Sequence, residues 1–295
     1  MAMANTFELG GDLTVDRLGY GTMRLAAAPE PGFEAGMGHI WRAPADRESA
    51  KAVLRKAVEL GVNLIDTADS YALGENEELV AEALHPYADQ VVIATKVGVL
   101  RPSPVEWVPL GHPAYLRQQT ELSLRRLKVD RIDLLQLHRL DPAYPLEDQI
   151  GALKQLVEEG KARHIGLSEV SVEQLRAAQQ ITPIASVQNM YNLAERGHED
   201  VVDYAAAQGI AFIPFFPVAG GAVTGPGSPV AEVATEIGAT PAQTALAWLL
   251  HRSPTILPIP GTTSLEHLAE NVAARSVRLS DAQFARLSEL ATATA

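Results

Sequence analysis

Four residues of this chain have the types and spacing to move a proton onto an oxygen. Asp66 closes the apolar run Asn63-Leu64-Ile65, and Tyr71 follows five residues later on a loop. Lys96 ends Val91-Val92-Ile93-Ala94-Thr95-Lys96, and His138 ends Leu134-Leu135-Gln136-Leu137-His138. A tyrosine hydroxyl, with an ordinary pKa of about 10, is a weak acid at neutral pH. A buried ammonium such as that of Lys96 favours the phenolate and lowers that value. Asp66 would hold Lys96 charged and in place, and His138 can donate a hydrogen bond that polarises and orients a carbonyl oxygen. The set reads as a general acid, Tyr71, acting on a developing alkoxide while an external donor delivers hydride to the carbon. Singly, each residue has a plainer reading: a solvated strand-end lysine, a hydrogen-bonded structural histidine, a capping aspartate, a packed loop tyrosine. Together they resist it, because three successive strands present ionisable residues at one level.

The elements that must position these side chains alternate along the chain. Phe7 to Val15 alternates around Gly10-Gly11-Asp12 and predicts a β-hairpin able to plug one end of a barrel. Arg17 to Met23 reads as a short strand, and residues 24–45, rich in Pro and Gly, as a long loop. Asp46 caps a helix through Ala50, Val53, Leu54, Ala57 and Val58, which Gly61 stops before the strand Val62–Asp66. The pattern recurs as helix Glu75 to Leu84 and strand Val91–Lys96, then helix Leu116 to Leu127 and strand Ile132–His138. Next come helix Leu146 to Val157, strand His164–Glu169, a helix to Gln179 opened by a capping box at Ser171, and strand Ala185–Asn189. Helix Glu199 to Ala207 and strand Ile210–Phe216 follow, then a helix capped by Thr240-Pro241-Ala242-Gln243 and strand Thr255–Pro260. Thr263-Ser264-Leu265-Glu266 and Ser280-Asp281-Ala282-Gln283 cap two more helices. Eight strands with intervening helices predict a (β/α)8 TIM barrel with a hairpin plug and extra C-terminal helices, in a single domain over residues 1–295. An open doubly wound sheet is the competing fold. It usually carries G-x-G-x-x-G after its first strand, whereas Gly19-Tyr20-Gly21-Thr22-Met23-Arg24 lacks the third glycine.

Composition limits the chemistry. With 47% hydrophobic residues the chain can fill a large core, and a net charge of -12 argues against nucleic acid or anionic membrane as partner. The same charge means that an anionic cofactor would need local cations. The absence of cysteine excludes disulfides, thiol nucleophiles and Cys-ligated zinc. The first residues lack the pattern of a signal peptide, and no apolar run reaches a membrane span, so a cytoplasmic location is expected. No metal is expected: a barrel hydrolase binding metal through H-x-H would need histidines two residues apart, and none of the eight is so placed.

By these motifs the chain resembles the aldo-keto reductase superfamily over almost its full length. The resemblance is carried by Asp66-Thr67-Ala68-Asp69-Ser70-Tyr71, Ala94-Thr95-Lys96, Asp133-Leu134-Leu135-Gln136-Leu137-His138, Gly166-Leu167-Ser168-Glu169, Val187-Gln188-Asn189, and Ile259-Pro260-Gly261-Thr262-Thr263 running to Glu270-Asn271. It implies a catalytic tetrad at Asp66, Tyr71, Lys96 and His138, and a nicotinamide cofactor held across the barrel mouth without a glycine fingerprint. It further implies that Ser168, Glu169 and Gln188 hold the carboxamide, although relatives often have Asn where Glu169 stands, and a carboxylate cannot donate. Gly21, Thr22, Met23 and Asp66 would lie beside the ribose and nicotinamide, with Phe215 stacked on the ring. Phe216 (by its backbone), Pro217, Val218, Gly220 and Gly221 would follow the diphosphate. Gly261, Thr262, Thr263 and His267 would take the phosphate on the adenosine ribose, and Glu270 and Asn271 the adenine. Relatives that choose NADPH often carry Lys at the position of Gly261 and Arg at that of His267. This chain lacks both, yet NADPH is expected in preference to NADH.

Met23, Trp41, Trp107 and His138 are expected to line the pocket of a small-molecule carbonyl substrate, apolar or aromatic, with the two Trp supplied by loops 24–45 and 98–115. Ala83-Leu84-His85-Pro86-Tyr87, Leu137-His138-Arg139-Leu140-Asp141-Pro142 and Ile165-Gly166-Leu167-Ser168-Glu169-Val170 look similar to the bacterial pyridoxal-reductase-like branch, which makes pyridoxal a candidate. A non-catalytic NADP(H)-binding sensor on the same barrel is the alternative function. A monomer or weak homo-oligomer is expected.

Overall fold

The structure is a computed structural model that describes residues 5–33, 39–219 and 227–290. The hairpin is present: β1 (Thr6–Leu9) and β2 (Leu13–Asp16) pair antiparallel around Gly10 and Gly11, both at positive φ. Glycine takes that conformation without a Cβ clash, and at Gly10 a Cβ would sit 2.3 Å from the His164 ring. Leu9, Leu13 and Val15 are buried against Leu64, Val92, Ala94, Leu134, Ile213 and Leu257, inside the curled sheet. Burying each such aliphatic side chain contributes about 1.5–3 kcal/mol, which holds the plug in place.

The wall follows in β-then-α order. It runs β3 (Tyr20–Gly21), α1 (Arg47–Glu59), β4 (Leu64–Asp66), α2 (Glu75–Leu84) and β5 (Val92–Val97). After β6 (Val99–Leu100) and β7 (Val108–Pro109) come α3 (Pro113–Leu127), β8 (Ile132–Leu137), α4 (Leu146–Glu158) and β9 (Ala162–Ser168). The chain continues through α5 (Val172–Gln179), β10 (Ser186–Gln188), α6 (Glu199–Gln208), β11 (Ala211–Phe212), α7 (Pro229–Ile237), α8 (Pro241–Arg252), α9 (Leu265–Ala273) and α10 (Asp281–Ser288). Seven strands form one parallel sheet in the order β3-β4-β5-β8-β9-β10-β11. The eighth segment, expected as the strand Thr255–Pro260, is reduced to one parallel bridge between Phe212 and Ile256. It still closes the ring. Phe212 N donates to Thr255 O at 2.9 Å, Leu257 N to Phe212 O at 2.8 Å, and Gly19 N to Pro258 O at 3.0 Å. The architecture is the expected (β/α)8 type.

Local signals placed the helices. Asp46 accepts from Ser49 N at 2.9 Å, and α1 buries Ala50, Val53, Leu54 and Ala57 on one face. Capping boxes form at Ser171, Thr240 and Ser280; each such cap stabilises its helix by about 1 kcal/mol. The cap of α9 lies one residue later than expected, at Ser264, because Thr262 Oγ1 takes Ser264 N and Ser264 Oγ takes His267 N. Two elements were not read from the sequence. The loop 98–115 contains the β6–β7 hairpin, whose two-residue strands are too short for alternation to show. Helix α7 was hidden by the Pro- and Gly-rich stretch before it, although Ser228 caps it and Val230, Val233 and Ala234 are buried at helical spacing. Arg286 of α10 ties α7 down through Glu236 at 2.7 Å and Glu232 at 3.2 Å.

Candidate active site

Side chains alternate across a strand, and this alternation builds the site. Leu64, Val92, Ala94 and Leu134 form the apolar interior above the plug. Two residues further along the same strands come Asp66, Lys96 and Gln136, and His138 lies just beyond β8. All four are buried. Lys96 Nζ donates to Asp66 Oδ1 at 2.5 Å, to Thr67 O at 2.9 Å and to the Tyr71 hydroxyl at 3.5 Å. The second carboxylate oxygen of Asp66 accepts from Gln136 Nε2 at 3.1 Å and Gln188 Nε2 at 2.9 Å. The four residues expected to act together are therefore brought together. Gln136 was missed, yet its position two residues before His138 put it on the same inward face.

Electrostatics follow from burial. Burial works against charge on Lys96, but Asp66 and Tyr71 outweigh it and its pKa lies above 10.5. The Tyr71 phenol corrects the sequence expectation. Burial raises its pKa above 10.0, and the pull of Lys96 does not overcome this because Asp66, itself pushing the value up, sits 2.5 Å from the same ammonium. His138 is held well below 6.5 by burial, reinforced by Lys96, Arg139 and Arg101, and its ring is neutral at physiological pH. Ser70 Oγ lies 3.2 Å from His138 Nδ1.

The loop that carries Tyr71 is fixed at both sides. Asn76 Oδ1 accepts from Thr22 Oγ1 at 2.5 Å and Thr67 Oγ1 at 2.8 Å, which joins the end of β3 to the end of β4. Arg101 donates to Ser70 O and Ile40 O, each at 3.3 Å, and to Pro104 O at 2.8 Å. Its guanidinium lies 3.7 Å from the Trp107 ring centroid and 5.4 Å from that of Trp41. Trp41, expected in the substrate pocket, is thus taken up in packing on Arg101 and is not a lining residue, whereas Trp107 reaches the pocket. Arg101 had no signal in the sequence, because it acts across three separate loops.

A cavity of about 380 Å³ opens over the tetrad, lined by Met23, Tyr71, Trp107, His138, Arg139 and Phe215, with Val99, Pro109, Ser168, Gln188 and Phe216 completing it. An adjoining cleft runs past Gly21, Arg24, Asp66, Gln188, Phe215, Phe216, Pro217, Val218 and Gly261. Of the residues expected on the cofactor, Gly21, Met23, Ser168, Gln188, Phe215, Phe216, Pro217, Val218 and Gly261 border these spaces. Thr22 lies behind the wall in the Asn76 network. Glu169 is turned to Met190 N at 2.7 Å. Thr262, whose carbonyl accepts from Tyr20 at 2.5 Å, Thr263, His267, Asn271 and Glu270, which accepts from Thr240, do not line the cleft. Gly220 and Gly221 lie outside the described residues.

The cleft has one built-in constraint and one cation. A Cβ at Gly261 would lie 2.5 Å from Gly21 O, and one at Gly21 would lie 2.7 Å from Ile259 O. A side chain at either position would force the backbones of β3 and the eighth segment apart. Arg24 Cγ passes 3.7 Å from that Gly261 position, and Arg24 has no hydrogen bond or ion pair among the described residues. Among the described residues it is the one cation in the lining of the cleft, and sequence reasoning missed it because its neighbours come from the far end of the chain. Among the described residues no three His, Asp or Glu come together as a metal site, and no helix is long and apolar enough to cross a membrane.

Comparison with known proteins identifies the family. The profile of the Aldo/keto reductase family matches residues 17–292. The chain is 43% identical to pyridoxine 4-dehydrogenase of Escherichia coli over 284 residues, which is 94% of this chain and 95% of that one. It is 46% identical to an uncharacterized oxidoreductase of Schizosaccharomyces pombe over 288 residues, 98% of this chain and 90% of the other. Among solved structures, an aldo/keto reductase from Klebsiella pneumoniae in complex with NADP and acetate superposes with a TM-score of 0.81 at 32% identity, covering 97% of this chain and 95% of that one. The chain belongs to the aldo/keto reductase family.

Proposed function

We propose that the protein is an NADPH-dependent reductase of aldehydes and ketones, with Tyr71 as the general acid. The observation that carries this reading is Lys96 Nζ held between Asp66 Oδ1 and the Tyr71 hydroxyl at the floor of a mainly apolar cavity. The cleft suits a dinucleotide in three respects: it adjoins the tetrad, its floor is glycine where backbones approach most closely, and among the described residues its one cation has no hydrogen bond or ion pair. The reduced nicotinamide would supply hydride to the carbonyl carbon. Tyr71, kept protonated by its raised pKa, gives its proton to the carbonyl oxygen, so that C=O becomes CH–OH. The ammonium of Lys96 then stabilises the phenolate left behind, and Asp66 with Gln136 and Gln188 keeps that ammonium charged and in place. A Ser70 hydroxyl donating to Nδ1 leaves the proton of neutral His138 on Nε2, free to bond the carbonyl oxygen. Likeness to the Escherichia coli pyridoxine 4-dehydrogenase supports pyridoxal as a substrate to test. If NADPH turns over pyridoxal no faster than simple aldehydes, that substrate is removed.

The pKa directions predict the pH profile. With His138 titrating well below 6.5 and Tyr71 above 10.0, kcat/KM for reduction stays level between these values and falls only as the phenol ionises. Stability carries the matching sign. Below pH 6.5 the unfolded chain protonates its histidine and native His138 does not, so this residue makes the fold less stable as pH drops through that range. A kinetic inflection near pH 6.5 would contradict a neutral, buried His138.

Arg24, which lines the cleft beside Gly261, is proposed to meet the diphosphate of the cofactor. Arg24→Ala is expected to weaken NADPH about fivefold in a fluorescence titration, as befits one exposed charge-assisted contact. NADH should weaken equally, since both carry the diphosphate. Unchanged affinity for either would remove Arg24 from the cofactor. The same titration tests the expected preference, which fails if NADH binds the parent protein more tightly than NADPH.

A further inference from the structure

The cavity beside His138 is apolar over most of its wall, through Met23, Val99, Trp107 and Phe215. One cation interrupts it. Arg139 lines the cavity directly after His138 in the chain. Its Nη1 donates to the His138 carbonyl at 2.5 Å and to Ser168 Oγ at 3.0 Å. Its Nε and Nη2 have no hydrogen-bond partner, and no carboxylate pairs with it among the described residues. Glu169 gives its charge the largest electrostatic support, but one oxygen of that carboxylate is already taken by Met190 N. Lys96 is matched by Asp66, and Arg101 is spent on backbone carbonyls and the Trp107 ring. Among the described residues, Arg139 is the cation that lines the cavity without an ion pair.

A half-buried guanidinium with two of its nitrogens open to the cavity can take an anion there in a charge-assisted contact. Its planar fork suits a carboxylate or phenolate oxygen better than any neutral group. Resting on the reductase reading above, we propose that Arg139 is a specificity-determining residue that selects aldehydes bearing an anionic oxygen on the same planar ring. Trp107 and Met23 take the ring faces, Tyr71 and His138 take the carbonyl oxygen, and Arg139 takes the acidic oxygen from the wall adjoining His138. No step of the reduction changes. The contact acts by holding the carbonyl carbon in one orientation.

The test compares kcat/KM with NADPH for the three carboxybenzaldehydes and for benzaldehyde, in the parent protein and in Arg139→Met and Arg139→Lys. The parent is expected to favour at least one carboxylated isomer over benzaldehyde by about tenfold, the effect of one charge-assisted contact. In Arg139→Met that ratio should fall to about one or below, mainly through KM, and Arg139→Lys should restore part of it. A merely structural tie between His138 O and Ser168 would lower both substrates together and leave the ratio unchanged, which overturns the proposal. So does a parent protein that turns over benzaldehyde as well as every carboxylated isomer. Failure to reduce any aldehyde, benzaldehyde included, overturns the reductase reading itself and with it this inference.

Discussion

Tyr71→Phe is expected to lower kcat for aldehyde reduction by about 10²- to 10⁴-fold, the range by which a positioned general acid accelerates a reaction. The substitution removes one oxygen from a buried ring whose hydroxyl contacts Lys96 at 3.5 Å. The ring itself stays packed with Met23, Trp107, Ile40 and Ala68. Cofactor affinity by fluorescence titration should therefore stay nearly the same, and so should the unfolding midpoint. The combination separates the two functions open to this barrel. A sensor that binds NADP(H) without chemistry would show slow oxidation of NADPH by a reactive aldehyde in the parent, and Tyr71→Phe would not change it. A variant that kept most of its turnover would dismiss Tyr71 as the acid.

Asp66→Asn has the second large expected effect, on stability as well as rate. Lys96 Nζ and Asp66 Oδ1 are 2.5 Å apart, and both side chains are almost fully buried. Breaking a buried pair by removing one partner costs about 3–5 kcal/mol, because the remaining charge has no compensation. Denaturant unfolding at neutral pH reads this cost in full. The pKa of Lys96 is raised above its ordinary 10.5, so the pair stabilises the fold completely below that value and loses its contribution only as pH rises through the folded pKa. Turnover should fall with stability, since Asp66 no longer holds the Lys96 ammonium in place beside the Tyr71 hydroxyl. Adding Lys96→Met to Asp66→Asn should recover much of the stability, because an apolar chain of similar length fills the space, and none of the activity. If Asp66→Asn unfolds at the same denaturant concentration as the parent, the pair does not carry the charge described here.

Much of this site could be read from the chain before folding. Asp66, Lys96 and His138 each end a β-branched or leucine-rich run, and strand ends in a barrel share one mouth. The expected direction of the Tyr71 pKa was wrong because it considered one charge, Lys96, and not the burial and the aspartate that come with it. Trp41 was expected in the pocket from its type and loop. It lies instead on Arg101, a residue whose partners are Ile40, Ser70 and Pro104 and whose role depends on three loops meeting. Arg24 and Arg139 look like ordinary surface arginines until the fold shows what stands around each of them.

The sequence by itself determined the order of helices and strands, the caps that start them, the inward and outward faces of each strand, and hence which side chains gather at the mouth. These features are local: they depend on periodicity, on capping side chains and on glycines at turns, all within a few residues. Only the tertiary structure decided how the eighth segment closes on Gly19, how closely Gly261 approaches Gly21, which arginines lack an ion pair among the described residues at the cleft and cavity, and which way burial moves each pKa. Those outcomes depend on distances between residues far apart in the chain and on how much water the packed barrel excludes, neither of which local spacing encodes.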